Sequence, residues 1–209
     1  MNDDITSNPY PVYEEGEDSL LWIVSEPEPT VELNTLLNDL HIAFGSGFVF
    51  ILKQIVAHSE FKPLDGETDI FVVGGENSED YNNLLSAARK AVEHGYRVFI
   101  LPNPKGIRTA DFIFERKGVY KMFDLKTIIG KASVSNRLLE SIGQTNRVLL
   151  NMTVDYNPIA LARNIRTYFE YNINAREVLI FKGKKQISIT RKSIDDKRFF
   201  KTFIRRYTK

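Results

Sequence analysis

The alternation of apolar and polar positions is most regular over residues 78–152, where it predicts one structural unit. Apolar residues recur every three or four positions after Ser78, which is typical of a helix with one buried face, and Gly95 is a suitable helix end. Short apolar runs then predict three strands, a helix that starts at Ser133 and a buried strand over 147–152. The order α-β-β-β-α-β favours a mixed sheet flanked by helices, in the α/β (α+β) class.

A β-hairpin is predicted within this unit, with Lys117 and Gly118 at its turn. Apolar and aromatic residues fill both arms, and Gly118 stands where a two-residue turn needs a positive φ. Pairing outward from the turn places Asp111 opposite Asp124, roughly 5 Å away at Cβ. Lys126 shares the face of Asp124, because side chains alternate along a strand. Two carboxylates and an ammonium group on one spot are costly, and a divalent cation would neutralise the carboxylates.

The residues before this unit show weaker patterns. Residues 1–30 form an acidic arm that is predicted to be largely irregular. Residues 31–77 are predicted as an extension that holds a helix over 31–44 and a strand over 69–73. The apolar run 48–56 between them is compatible with a buried strand or with a short helix.

The chain after the unit is predicted to complete a domain over 78–209. Asn157 and Pro158 open a helix that runs to about Tyr171, since Pro is favoured in a first turn. A hairpin over 177–190 and one basic, aromatic-rich helix over 192–207 follow. The aromatic side chains of that last helix are expected to lie in the core, and stacking on nucleic-acid bases is the alternative.

The net charge of +1 conceals an uneven distribution along the chain. Residues 1–32 hold nine acidic residues and no Lys or Arg, so the other residues hold 28 basic and 18 acidic ones. A basic body with an acidic arm indicates a polyanion as partner. An acidic leader that is merely solvated is the alternative.

Composition also excludes several classes of protein. The chain has no Cys, so disulfides and Cys-ligated zinc are excluded. No apolar run approaches the roughly 18 residues of a membrane span, and no signal peptide is recognised. The three His residues are scattered, which gives no support to a His-dependent ribonuclease. We therefore expect a cytoplasmic protein without a membrane partner, although delivery to another cell stays open.

The spacing of Asp111, Asp124 and Lys126, set within the αβββαβ order, resembles the core of the PD-(D/E)xK nuclease superfamily. Thr127 and the Ser/Asn/Arg-containing start of the next helix extend this likeness. They are similar to the C-terminal tRNA-nuclease toxin domains of contact-dependent growth inhibition proteins. The likeness covers roughly residues 78–190 and implies a restriction-endonuclease-like fold.

The resemblance also implies the chemistry. Asp111 and Asp124 would bind a divalent metal, Mg²⁺ before Mn²⁺ or Zn²⁺, and Lys126 would assist the attacking water or stabilise charge on the phosphate. Many members carry an acidic residue on the first helix, for which Glu79 and Glu93 are the candidates here. The expected substrate is nucleic acid, RNA before DNA, and an immunity protein or antitoxin is an expected partner.

Further residues are candidates for binding nucleic acid. They are polar or basic and lie in the loop before the hairpin or around the helix after it: Lys105, Arg108, Ser133, Ser135, Asn136, Arg137 and Gln144. Hydroxyl groups, backbone N–H groups and guanidinium groups at a helix start suit phosphate. Simple capping by Ser133 and solvation of Arg137 explain that pattern equally well.

The sequence leaves two other functions open. One is a non-catalytic nucleic-acid-binding protein, or a structural protein of a phage or mobile element, which keeps the fold without the chemistry. The other is a nuclease of the same fold that acts on DNA. Binding of a divalent ion by Asp111 and Asp124 separates the catalytic hypotheses from the first of these.

Overall fold

The computed structural model describes residues 31–40, 45–74, 79–102, 110–130 and 134–209. Within them, eight strands form one sheet in which each strand is hydrogen-bonded to the next along the chain. The elements in order are α1 Leu33–Leu40, α2 Gly45–Ala57, β1 Phe61–Pro63, β2 Ile70–Val73, α3 Glu79–Glu93, β3 Arg97–Ile100, β4 Phe112–Arg116, β5 Val119–Ile128, α4 Val134–Glu140, β6 Arg147–Met152, α5 Pro158–Tyr171, β7 Glu177–Lys182, β8 Lys185–Thr190, α6 Arg191–Asp195 and α7 Phe199–Thr208.

The sheet is mixed, as the sequence predicts. β2 and β3 run parallel, as do β5, β6 and β7, while the remaining neighbours are antiparallel. The elements from α3 to β6 follow the order α-β-β-β-α-β. This confirms the α/β (α+β) class, and the strands β1 and β2 of the N-terminal extension join the same sheet.

The predicted hairpin is present with the predicted pairing. Phe112 pairs with Phe123 across β4 and β5. The turn residues Lys117 and Gly118 have φ angles of 55° and 81°. A type I′ turn needs positive φ at both central positions, and Gly meets this requirement without steric cost. The backbone N–H of Gly118 also donates to the Glu115 carboxylate at 2.8 Å, which ties the turn to β4.

Two groups of helices cover one face of the sheet. α1 and α2 pack against β3, β4 and the first half of β5, where Met122 lies in their cluster. α4, α5 and α7 pack against the second half of β5 and against β6–β8, where Ile128 lies in their cluster. Because side chains alternate along a strand, Asp124 and Lys126 share the face of Met122 and Ile128. They therefore lie between the two groups of helices, and α3 covers the opposite face.

The structure decides or corrects three predictions outside the hairpin. The apolar run 48–56 belongs to helix α2, which settles the choice between strand and helix. Strand β1 was not predicted, since its three residues carry too short a pattern. The single helix predicted over 192–207 is wrong, because the chain forms two helices, α6 and α7.

The break between α6 and α7 has a local cause. Asp196 adopts an extended conformation, and its side-chain Oδ1 accepts a hydrogen bond from the N–H of Arg198 at 2.8 Å. An Asp side chain that bonds backbone two residues ahead competes with helical hydrogen bonding. Of the aromatic residues that follow, Phe199, Phe203 and Tyr207 are buried as predicted, whereas Phe200 is half-buried.

Several predictions fall outside the described residues. They are the acidic arm 1–30, the end of the helix predicted over 31–44, the predicted helix caps Ser78 and Ser133, and the loop residues Lys105 and Arg108. Among the helices that are described, none combines the length and the apolar character needed to cross a membrane.

Candidate active site

The three predicted catalytic residues meet where β5 changes partner. β5 pairs with β4 over Val119–Phe123 and with β6 over Asp124–Ile128. The first paired residue of β4 is Phe112, which lies opposite Phe123. β5 therefore continues past the point at which β4 begins. From Asp124 onward, no strand of the described residues pairs with the side of β5 that faced β4.

Asp111 immediately precedes Phe112, the first residue of β4. Its backbone N–H donates to the carbonyl of Phe123 at 3.0 Å, and its own carbonyl accepts from the N–H of Leu101 at 2.9 Å. The carboxylate Oδ2 accepts from the N–H of Leu125 at 2.6 Å. The Asp111 side chain thus replaces the missing strand as acceptor for one backbone group of β5, which holds this carboxylate against Asp124.

Asp124 and Lys126 form a close ion pair on β5. The Lys126 Nζ lies 3.1 Å from Oδ1 and 2.9 Å from Oδ2 of Asp124. Asp124 is only 1% exposed. Its Oδ2 receives no hydrogen bond of good geometry from the described residues, despite the short distance to Nζ. A buried carboxylate oxygen without a full set of donors is a suitable ligand for a cation.

The two carboxylates disfavour each other's ionisation. Burial raises the pKa of Asp124 to about 7, the negative charge of Asp111 adds to this rise, and Lys126 opposes it. Burial also raises the pKa of Asp111, while the N–H of Leu125 and the charge of Lys126 lower it. Without a cation the pair therefore tends to keep a proton, and a divalent ion that neutralised both carboxylates would take the place of that proton.

Asp80 is a further acidic residue of this region, and the sequence did not single it out. Its negative charge raises the pKa of Asp111, so it lies within electrostatic reach of that carboxyl. Asp80 is exposed and stands in the first turn of α3. In the sequence it is an ordinary acidic residue at a helix start, where the dipole favours negative charge. Only the packing of α3 beside the end of β4 distinguishes it.

The two predicted first-helix acids lie at opposite ends of α3. Glu79 begins the helix, and its side chain is outside the described part of the structure. Glu93 is exposed at the last position, roughly 20 Å along the helix axis from Asp80. Burial lowers the pKa of Lys90, and the negative charge of Glu93 offsets part of this lowering.

The helix that carries the predicted phosphate-binding residues, α4, packs against the second half of β5 through Val134 and Leu138. Asn136 and Arg137 are exposed and Ser135 is half-buried. Arg137 forms an ion pair with Glu140 at 3.1 Å, and Gln144 donates to the carbonyl of Glu140 at 3.3 Å. No described hydrogen bond or ion pair joins these side chains to Asp111, Asp124 or Lys126.

The donor set suits some metal ions better than others. No group of three His, Cys, Asp or Glu side chains comes together in the part of the chain that the structure describes. Among the described side chains, Asp111 and Asp124 are the two carboxylates that meet at this point. Mg²⁺ is commonly held by one or two carboxylates, with water and substrate oxygens completing the shell, whereas Zn²⁺ favours His and Cys. The residues present fit Mg²⁺ or Mn²⁺.

Comparison with known proteins adds one distant structural likeness. No protein-family model and no curated protein matches the chain. Among solved structures, the chain is similar to one described as a CdiA-CT/CdiI toxin and immunity complex from Burkholderia pseudomallei, with 19% identity and a TM-score of 0.38. The likeness covers 56% of this chain and 91% of the other. At that identity and TM-score it establishes neither a common fold nor a common activity.

Proposed function

We propose that this protein is a metal-dependent nuclease that hydrolyses phosphodiester bonds. The observation that carries this proposal is the pair of buried carboxylates, Asp111 and Asp124, which meet at the open end of β4 with Lys126 beside them. Structural ion pairs are normally balanced in charge, whereas this site has two acids for one base. An enzyme of the PD-(D/E)xK superfamily would have this arrangement.

Each residue has a definite role in the proposed reaction. Asp111 and Asp124 would hold the metal ion, and Asp111 is positioned for this by its hydrogen bond to the N–H of Leu125. When bound, the ion would supply Lewis-acid charge to the phosphate and lower the pKa of the attacking water. Lys126 would leave its pairing with Asp124 and place its positive charge next to the substrate phosphate, where negative charge grows.

RNA is the substrate that we propose, on the strength of the sequence motif around Asp124, Lys126 and Thr127. The same motif favours a toxin role with an immunity protein as partner. A DNA-directed nuclease of the same fold has the same site and is distinguished only by the substrate that is cleaved. Expression of the chain in a bacterial host tests the toxin role, because growth arrest should require Asp124.

The decisive experiment measures cleavage by the purified protein. We expect tRNA to be cleaved in the presence of Mg²⁺ or Mn²⁺, plasmid DNA to be cleaved less, and chelation to stop the reaction. Asp124→Asn and Lys126→Met should each lower the rate at least a hundredfold. Glu170→Gln, which breaks the exposed Arg166–Glu170 pair, is the matched control and should leave the rate unchanged. Full activity in Asp124→Asn would contradict the assignment of the site.

A non-catalytic nucleic-acid-binding protein is the second candidate, favoured by the absence of a described three-ligand cluster. Calorimetric titration with Mn²⁺ separates the two. Binding that is lost in Asp124→Asn supports the nuclease. Tight binding of RNA by a chain that binds no divalent ion supports the second candidate.

A further inference from the structure

The ends of β5, β6 and β7 form one edge of the sheet at which many basic residues collect. These three strands run parallel and end at Ile128, Met152 and Lys182. Lys126 of the candidate site is two residues from this edge, about 7 Å along the strand. The β7–β8 turn, which contains Lys184, lies at the same edge, two to three strand spacings or roughly 10–14 Å from β5.

Helix α7 ends at this edge and is fixed there. The backbone carbonyl of Tyr207 accepts hydrogen bonds from Nζ of Lys182 at 3.4 Å and of Lys185 at 3.3 Å. The Nζ of Lys182 also lies 4.0 Å from the centre of the Tyr207 ring. These contacts hold the last turn of α7 against the β7–β8 turn. The exposed basic side chains of the two elements therefore lie on neighbouring parts of the surface.

The cations of this region are not balanced by acids. The β7–β8 turn and α7 together contain six basic residues and no acidic one: Lys182, Lys184, Lys185, Lys201, Arg205 and Arg206. Lys182 pairs with the exposed Asp155 at 2.9 Å. Lys184, Lys201 and Arg205 are exposed and form no ion pair with any carboxylate that the structure describes. This is an excess of positive charge on a surface that no described part of the chain covers.

The helix dipole accounts for only part of this arrangement. Basic residues in a last turn interact favourably with the carbonyl end of a helix, which explains Arg205 and Arg206. It does not explain Lys184, which is outside the helix, or Lys201, which is in its first turn. Lys201 and Arg205 are four residues apart on one helix face, where like charges repel.

We propose that Lys184, Lys201 and Arg205 bind the phosphate backbone of the nucleic acid that the candidate site cleaves. This proposal rests on the proposed function and names a second contact surface for the same substrate. α7 and Ile128 belong to one hydrophobic cluster, so α7 lies on the face of the sheet that carries Asp124 and Lys126. A strand of nucleic acid with one phosphate in the site would carry its following phosphates across the ends of β6 and β7 to these cations.

The test measures binding without cleavage. Fluorescence anisotropy of a labelled single-stranded RNA is recorded with the full chain in EDTA over a series of salt concentrations. The test variant is Lys184→Glu/Lys201→Glu/Arg205→Glu. The control variant, Lys62→Glu/Lys117→Glu/Lys192→Glu, changes net charge by the same amount at exposed residues outside this surface. Circular dichroism melting confirms that both variants fold.

The expected result is a loss of affinity of at least tenfold in the test variant and a much smaller loss in the control. The slope of log Kd against log salt should become less steep by about 2 in the test variant, since each lost phosphate contact removes about 0.7. Equal losses in both variants would show that only net charge matters and would overturn the proposal. So would an unchanged affinity, or RNA binding that polyglutamate displaces as well as unlabelled RNA, which would indicate an acidic protein partner.

The outcome is independent of the proposed chemistry. A protein that binds RNA through these residues and cleaves nothing with any metal ion would contradict the proposed function and support this surface. A protein that cleaves RNA with unchanged affinity in the test variant would do the reverse.

Discussion

The Nζ atom of Lys126 lies 2.9 Å from Oδ2 and 3.1 Å from Oδ1 of Asp124, so the ammonium group is paired with both oxygens of this carboxylate. In the nuclease that we propose, Lys126 and a metal ion would therefore compete for Asp124.

We expect Lys126→Met to bind Mn²⁺ more tightly than the unmodified protein, by about tenfold, because the competing cation is gone. The measurement is calorimetric titration at a pH high enough that the affinity of each protein no longer rises with pH, because the loss of Lys126 raises the pKa of Asp124 further. The same variant should lose cleavage activity. Weaker binding of Mn²⁺ by Lys126→Met at that pH would show instead that Lys126 orders the site.

Asp124 should make the metal-free protein less stable as the pH rises. The pKa of Asp124 is about 7 in the folded chain and 3.8 without the fold, so the unfolded state releases its proton first. The free energy of unfolding therefore falls between about pH 4 and pH 7 and then levels off. The Asp124→Asn variant has no carboxyl that titrates at this position. Its free energy of unfolding should therefore rise relative to that of the unmodified protein by a few kcal/mol between about pH 4 and pH 7.

Urea unfolding at several pH values in EDTA measures this difference. Asp155→Asn is the control, because Asp155 is exposed and its pKa is lowered by Lys182. A difference between Asp124→Asn and the unmodified protein that stays constant from pH 4 to pH 8 would contradict the raised pKa.

Two substitutions at Asp111 should separate its structural role from its charge. Asp111→Ala removes the acceptor for the N–H of Leu125, and an unpaired buried N–H costs about 1–3 kcal/mol of unfolding free energy. Asp111→Asn keeps an acceptor oxygen and should cost much less. Both should weaken Mn²⁺ binding, since both remove the negative charge. Chemical unfolding and calorimetry on the same samples measure the two effects, and equal stability of the two variants would refute the structural role.

Asp80 should influence Asp111 through its charge alone. We expect Asp80→Asn to lower the pKa of Asp111, because the nearby negative charge raises it. Carbon-13 NMR titration of the Asp carboxyl groups measures this shift. Glu93→Gln, at the other end of α3, is the matched control and should leave the Asp111 titration unchanged.

The hairpin that forms the site was predictable because its determinants are local. Lys117 and Gly118 specify the turn, and the turn then determines that Asp111 faces Asp124. The residues that the sequence did not identify depend on distant contacts. Asp80 is 31 positions before Asp111 in the chain, and only the folded structure brings its charge within reach of that carboxyl.

The errors in the prediction of secondary structure have similar causes. Strand β1 is only three residues long and is held by pairing with β2 at the edge of the sheet, so no periodic signal marks it. The break at Asp196 comes from one side chain that bonds the backbone ahead of it, within a stretch whose apolar spacing is helical on both sides. Periodicity describes burial, and it is insensitive to a single hydrogen bond of this kind.

The order of the strands has a consequence for how the protein is made. Each strand of the sheet pairs with the one before it in the chain, so β-sheet formation can proceed in the order of synthesis. The two carboxylates are brought together by a hairpin, and short separation along the chain favours rapid formation of such contacts. During translation, the hairpin that carries Asp111 and Asp124 would therefore leave the ribosome before β6 does, so the two carboxylates would be opposite each other before β6 is available to pair with β5.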